Sequence, residues 1–258
     1  MRGRLGVTCA VLPRAGLRVV TLVLLLLLAG QAARAADVPK SKEERLHALQ
    51  ALDWQRTPGR IAIPKTSATF DMPEGIWAVT GRDAERAHLL FQGVEKPGVC
   101  AVFAASNFTI YVIYKADGYI RMDDWDAIDS DALMREIVHY NQEDNRATRG
   151  LGMSEITQEY WEVSPQLNRD LAIAYWGVGF TYDSQQQINI DSFRLGRYGV
   201  LRALIVMSKD EYEKNPTVVR LLERNIYYER GAPYEDYRNG DKVANIGLRE
   251  MLMDAAQY

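Results

Sequence analysis

The sequence predicts an α+β fold: a largely antiparallel β-sheet with flanking helices, in a single domain. Three observations carry this reading. Short runs rich in branched and aromatic residues are joined by tight turn signals, so neighbouring strands pair as hairpins. Helical stretches, two of them opened by capping boxes, intervene between the strands. No repeat, low-complexity tract or linker divides residues 41–258.

The elements follow in order. Residues 1–35 combine arginines at 2, 4, 14 and 18, an apolar run from Val19 to Ala29 and the small-x-small triplet Ala33-Arg34-Ala35. That is the pattern of a secretory signal peptide cut after Ala35, with a retained inner-membrane signal anchor as the rival. Gln31 stands where a lipoprotein would need its acylated cysteine. Residues 36–40 read as a short tether, and "SKEERLHALQALDW" starts a helix with Ser41 and Glu44 as a capping box. Short strands are expected in "GRIAIPKTSATFDMPEGIWAVT", a helix over Asp83 to Gln92, and a hairpin from "GVCAVFAA" and "NFTIYVIY" about Ser106 and Asn107, its second arm continuing after Asp117-Gly118. An acidic lead-in precedes a long helix from Asp131 to Thr148, with Leu133, Ile137 and Tyr140 on one face and Gly150 closing it. Three strands follow, then a second capping box at Ser208 and Glu211, a helix broken at Pro216, a strand in "NIYYERG" and a last helix from Asp241 to Met253.

Charge excludes one large class of function. Cleavage after Ala35 removes five arginines and no acid, leaving 26 basic against 34 acidic residues, a net charge of -8. A nucleic-acid binder needs a basic face, so no nucleic-acid partner is expected. Past Ala36 no apolar run approaches the roughly 18 residues of a membrane span, so membrane contact is expected to be at most peripheral unless the signal is retained. Cys9 leaves with the signal, and Cys100, alone in an apolar run, reads as a buried inert thiol.

The segments "GYIRMDDWDAIDSDALM", "QEDNRATRGLG", "INIDSFRLGRYGVLRALIV" and "GAPYEDYRNGDKVANIGL" together, and in this order, resemble the domain of unknown function 2167 family, described as predicted membrane-anchored bacterial proteins. The resemblance runs over most of Leu49 to Leu252. It implies a cell-envelope location and no established activity. Family members generally continue into a hydrophobic tail, whereas this chain stops at Tyr258, so their C-terminal anchor is expected to be missing here. The α+β architecture also resembles the sheet-and-helix fold of the Mog1 and PsbP proteins.

The candidate chemistry is sparse. Gly196 and Gly199, flanked by Arg194, Arg197 and Arg202, have the spacing of a phosphate loop, but strand patterns stand on both sides and no lysine-hydroxyl pair follows. Gly196 is therefore read as a turn with positive φ, and the arginines as solvent-facing or cross-strand partners. Asp123, Asp124, Asp126, Asp129 and Asp131 crowd one stretch without the glycine and glutamate of an EF-hand; Asp129, Ser130 and Asp131 are read as a helix cap. His47, His88 and His139 are too far apart for a local metal pair, and Tyr160, Trp161, Tyr175 and Trp176 read as core aromatics that a ligand groove could also use. No cofactor or metal is expected. A non-enzymatic envelope domain binding a protein or other envelope component is the leading expectation. The rival is a metal-dependent or hydrolytic enzyme built on Asp123, Asp124 and Asp126 with Arg146 and Arg149 nearby, and Arg194 and Arg197 complete the candidate surface.

Overall fold

In the computed structural model, which describes residues 41–93, 95–149 and 154–256, the strand signals resolve into two sheets. The expected signal segment, the tether and the helix-closing Gly150 lie outside the described residues. Helix α1 (Lys42–Gln50) begins at the expected capping box: the Ser41 hydroxyl accepts from the Glu44 N–H at 3.1 Å, and the Glu44 carboxylate accepts from the Ser41 N–H at 3.3 Å. Strands β1 (Gly59–Ile63) and β2 (Ala68–Met72) pair antiparallel, and β10 (Ile226–Tyr228) adds to β2. The alternation at Ile61 and Ile63 buries both side chains.

The larger sheet has the order β3 (Trp77–Thr80), β4 (Val99–Ala104), β5 (Phe108–Lys115), β9 (Val200–Ser208), β8 (Gln185–Leu195), β7 (Ile173–Tyr182) and β6 (Ile156–Asn168), every neighbour antiparallel. One crossover builds it. After β5 the chain travels through α3 (Ser130–Thr148) to the far edge, then returns by three hairpins until β9 closes against β5. The second arm of the first hairpin does not continue past Gly118: Tyr119 instead bridges Val243.

Period-two alternation then divides the sheet into two working faces. Phe103, Ile110, Ile188, Ile190, Ala203, Ile205 and Met207 form one core with Phe70, Ile61 and Ile63 of the small sheet and with Tyr212 and Leu222 of α4 (Lys209–Lys214) and α5 (Val219–Asn225). On the opposite face α2 (Arg82–Gln92) covers Val102 and Tyr111, while α3 and α6 (Leu248–Ala255) cover Trp176 and Phe193. The result is three layers, with the large sheet in the middle. The last helix is seven residues shorter at its start than the sequence suggested. Asp241 and Val243 are held by Arg197 and Tyr119 and cannot join a helix. Its apolar side is spent internally: Leu248, Met251 and Leu252 are fully buried, so they present no stripe to lipid. Among the described residues no helix is long and apolar enough to cross a membrane.

Candidate functional site

The residues singled out from sequence are dispersed, and most serve the fold. Asp129 caps α3, its Oδ1 accepting from the N–H of Asp131 at 2.9 Å and of Ala132 at 3.0 Å. The Ala132 N–H above all holds its carboxyl below the usual range. Asp124 caps a different helix, accepting at 3.1 Å from both Leu248 and Arg249 at the start of α6. Asp123 and Asp126 are exposed, the latter 3.8 Å from Arg169. Arg146 and Arg149 sit at the other end of α3, about 27 Å away along its axis, and Arg149 pairs with Glu155 at 3.0 Å. The rival cluster is thus not assembled.

The glycine segment is the expected turn, a hairpin loop, and Arg202 is a cross-strand partner, of Asp191, but the positive φ and the solvent-facing Arg194 and Arg197 need correction. Gly196 does not have positive φ; a side chain there would strike the Tyr228 ring, and one at Gly199 the Lys115 carbonyl and the Tyr114 hydroxyl. Close approach, not backbone handedness, requires glycine at both positions. Arg194 and Arg197 do not face solvent. Arg194 donates to the Glu223 carbonyl at 2.6 Å, closing the end of α5, and Arg197 makes a two-point pair with Asp241 at 2.7 and 2.8 Å. Together with the Tyr119 stack on Tyr234 and Tyr237, these contacts fasten three of the four motif segments into one end of the sheet.

His47 and His139 are exposed, and His139 lies 3.5 Å from Glu143 one turn on. Among the described residues no three His, Cys, Asp or Glu side chains are placed to hold a metal ion. Cys100 is buried, donates to the Val112 carbonyl at 3.2 Å, and has its thiol pushed up to about 11 by burial.

Polar chemistry converges elsewhere, on the helix face of the central sheet. A partly open cavity of about 90 Å³ lies where α2 on one side and α3 with α6 on the other leave the strands uncovered. Helical spacing presents His88 and Gln92 of α2, and Ile137, Tyr140, Asn141 and Asp144 of α3. Strand alternation presents Trp176, Val178 and Phe180 of β7, Asn189 and Asp191 of β8, and Arg202 of β9. At the cavity floor Arg202 Nε donates to Asp191 Oδ1 at 2.6 Å, both residues under a tenth exposed. Gln92 donates to the Tyr111 hydroxyl at 2.7 Å, and the His88 ring meets the Tyr111 ring edge-on at 5.1 Å. Asn189 Oδ1 is buried with no hydrogen-bond partner among the described residues. Lys96, in the loop after α2, adjoins the same charges. Burial, then the neighbouring Arg202 and Lys115, pull its ammonium down to about 8 against the opposing effect of Asp191.

The α3 wall is fixed by Asn145, whose side chain both donates to the Ile156 carbonyl at 2.7 Å and accepts from the Ile156 N–H at 2.8 Å. The four aromatics considered from sequence separate by face. Trp176 lines the cavity and Trp161 packs beside it, whereas Tyr175 adjoins the opposite core and Tyr160 approaches Lys209. Asn189, Asp191 and Arg202 escaped the sequence reading as a group, although "VLRALIV" places Arg202 within an otherwise apolar run. That interruption was the available signal.

Comparisons add a family and no role. No curated protein matches the chain. The solution structure of cyanobacterial PsbP (CyanoP) from Synechocystis sp. PCC 6803 is 13% identical with a TM-score of 0.40, covering 68% of this chain and 94% of that one. LpqN of Mycobacterium tuberculosis, involved in cell envelope biogenesis, is 12% identical with a TM-score of 0.32, over 69% and 92%. The protein of unknown function PA94 from Pseudomonas aeruginosa, a putative regulator by its description, is 11% identical with a TM-score of 0.26, over 67% and 98%. At these values none assigns a role to a residue here. The family model described as protein of unknown function (DUF2167) matches residues 55–256, all ten strands and five of the six helices, and the chain belongs to that family.

Proposed function

We propose that this protein is an exported cell-envelope domain that binds an envelope component without transforming it, and that the cavity above the Arg202–Asp191 pair receives a polar tip of that component. One observation supports the site. A buried ion pair contributes little stability beyond what well-packed apolar side chains of the same volume would give. Here it sits among the apolar side chains of the neighbouring strands β7 and β9 just where the helices leave an opening. Size limits the guest. Small-molecule pockets span about 300–1,000 Å³, so 90 Å³ admits the end of a larger molecule and not the whole of one. The secretory-signal pattern read in the sequence of residues 1–35 supports the location.

The test replaces both members of the pair. Wild-type mature chain and the Asp191→Leu/Arg202→Leu double variant, each shown to be folded, are immobilised and offered detergent-solubilised envelope from the native host. Capture of a defined component by the wild type that the double variant loses is the expected result. Equal capture overturns the site, and turnover of that component, with or without divalent ions, overturns the non-enzymatic reading. N-terminal sequencing should find a start at Ala36 in the released periplasmic fraction. An intact Met1 in carbonate-resistant membranes would establish the signal anchor instead.

A further inference from the structure

The cations at one end of the cavity narrow the chemistry of its guest, and this step rests on the cavity being the binding site. Two guanidinium–carboxylate pairs of this molecule differ in how fully they are engaged. Arg197 meets both oxygens of Asp241 through Nε and Nη2, whereas Arg202 meets Asp191 through Nε alone. The Arg202 terminal nitrogens make no hydrogen bond to a described residue, and unlike Asn189 Oδ1 they are not sealed from solvent. Two more cations stand beside this fork. Arg202 pairs across the strands with Ile113, and Ile113 with Val99, so the three form one row of the sheet. Lys115 follows Ile113 by two residues and shares its face, and Lys96 lies just before Val99. The charges acting on Lys96 are the cations Arg202 and Lys115 and the carboxylate of Asp191; burial and the two cations win, which is why its ammonium is pulled down.

Three positive charges thus gather around one negative charge. Asp144 also lines the cavity, but at its other end: its neighbour Asn145 holds Ile156, which pairs with Tyr182, whereas Arg202 shares a row with Phe193 and Ala174. A carboxylate guest, with a single charge, would leave part of the surplus unmet. A phosphate monoester brings about −1.5 to −2 charges at pH 7 and three strong acceptor oxygens, enough for a guanidinium fork and two ammoniums. We infer that the Arg202 end of the cavity takes the terminal phosphate of a phosphomonoester, its oxygens on the terminal nitrogens of Arg202 and on the ammoniums of Lys96 and Lys115.

Calorimetric titration of the folded mature chain at pH 7 and constant ionic strength tests this with methyl phosphate, methyl sulfate and sodium acetate. Saturable binding of methyl phosphate, weakened at least tenfold in Lys96→Met and in Lys115→Met, is the expected result; should one variant misfold, the other decides. Methyl sulfate has the same shape and one charge fewer, so methyl sulfate or acetate binding as tightly as methyl phosphate overturns the phosphate assignment. Unchanged affinity in the lysine variants overturns the placement. Sedimentation with phosphatidylcholine vesicles, with and without phosphatidic acid, separates two sources of such a group. Pelleting that requires phosphatidic acid and Lys96 puts the phosphate on a lipid, and methyl phosphate binding without such pelleting puts it on a soluble ester; both support the inference. No binding of methyl phosphate or of the vesicles, with envelope capture still dependent on Arg202 and Asp191, overturns this inference and leaves the cavity standing. Capture that ignores the pair overturns the cavity as well.

Discussion

The two faces of the central sheet come from the same strands and have opposite characters. Toward the small sheet, Ile188, Ile190, Ala203 and Ile205 meet other apolar side chains without a break. One residue away along the same strands, Asn189, Asp191 and Arg202 face the helices and a cavity. The covering layer explains the difference. A small sheet and two short helices lie close against their face, whereas α2 and α3 are cylinders that part over the middle strands. Where cylinders separate, a polar floor can be wetted or bound; under the tight layer it would be sealed. The comparison separates a face that holds the fold together from one that has room for chemistry.

The largest effect should come from the tight face. Phe103, fully buried and 4.2 Å from the Phe70 ring, packs the large sheet on the small one. Phe103→Ala should cost about 3–5 kcal/mol in urea unfolding through the cavity it leaves. A loss under 1 kcal/mol would show that this face is as loosely filled as the other.

On the helix face, cost should depend on pairing and not on volume. Asp191→Leu strands the Arg202 charge and should approach about 3 kcal/mol, whereas Asp191→Leu/Arg202→Leu should be neutral or stabilising, because replacing both charges removes their desolvation as well. Equal destabilisation by the single and double variants would mean that packing, not charge, governs this face.

Lys96 sharpens the contrast through pH. Its folded-state value of about 8 lies below the ordinary 10.5. Between these values the unfolded chain binds more protons, so stability should rise with pH across that window. Lys96→Met should therefore raise Tm at pH 7, with the gain shrinking from pH 8 to 10.5. A gain independent of pH would attribute it to packing alone.

The smallest effect concerns reactivity. Cys100 lies on the sealed face with its thiol raised to about 11. Iodoacetamide at pH 8 should label it at a small fraction of the rate of the urea-unfolded chain, because the thiolate is the reacting species. Comparable rates in the two states would show that the tight face opens.

Much of the fold was legible because local rules decided it. The Ser41 capping box, the hairpin turn at Ser106-Asn107 and the cap at Asp129 each depend on residues within a few positions of one another. The failures involved distant partners. Arg197 found Asp241 forty-four positions on, which also removed the expected first turns of the last helix. Gly196 is glycine because of Tyr228, which local spacing does not reveal.

By itself the sequence determined the element types, the antiparallel pairing, the buried alternation and the charge that argues against nucleic acid, since each follows from neighbouring residues or from composition. Only the tertiary structure decided that Asp124 would cap a helix more than 120 residues away, and that Arg202, Asp191, Asn189 and Tyr111 would meet under two parted helices. A cavity belongs to the space between elements. Its place depends on how helices and sheet stack after each has formed, and no single stretch of chain carries that information.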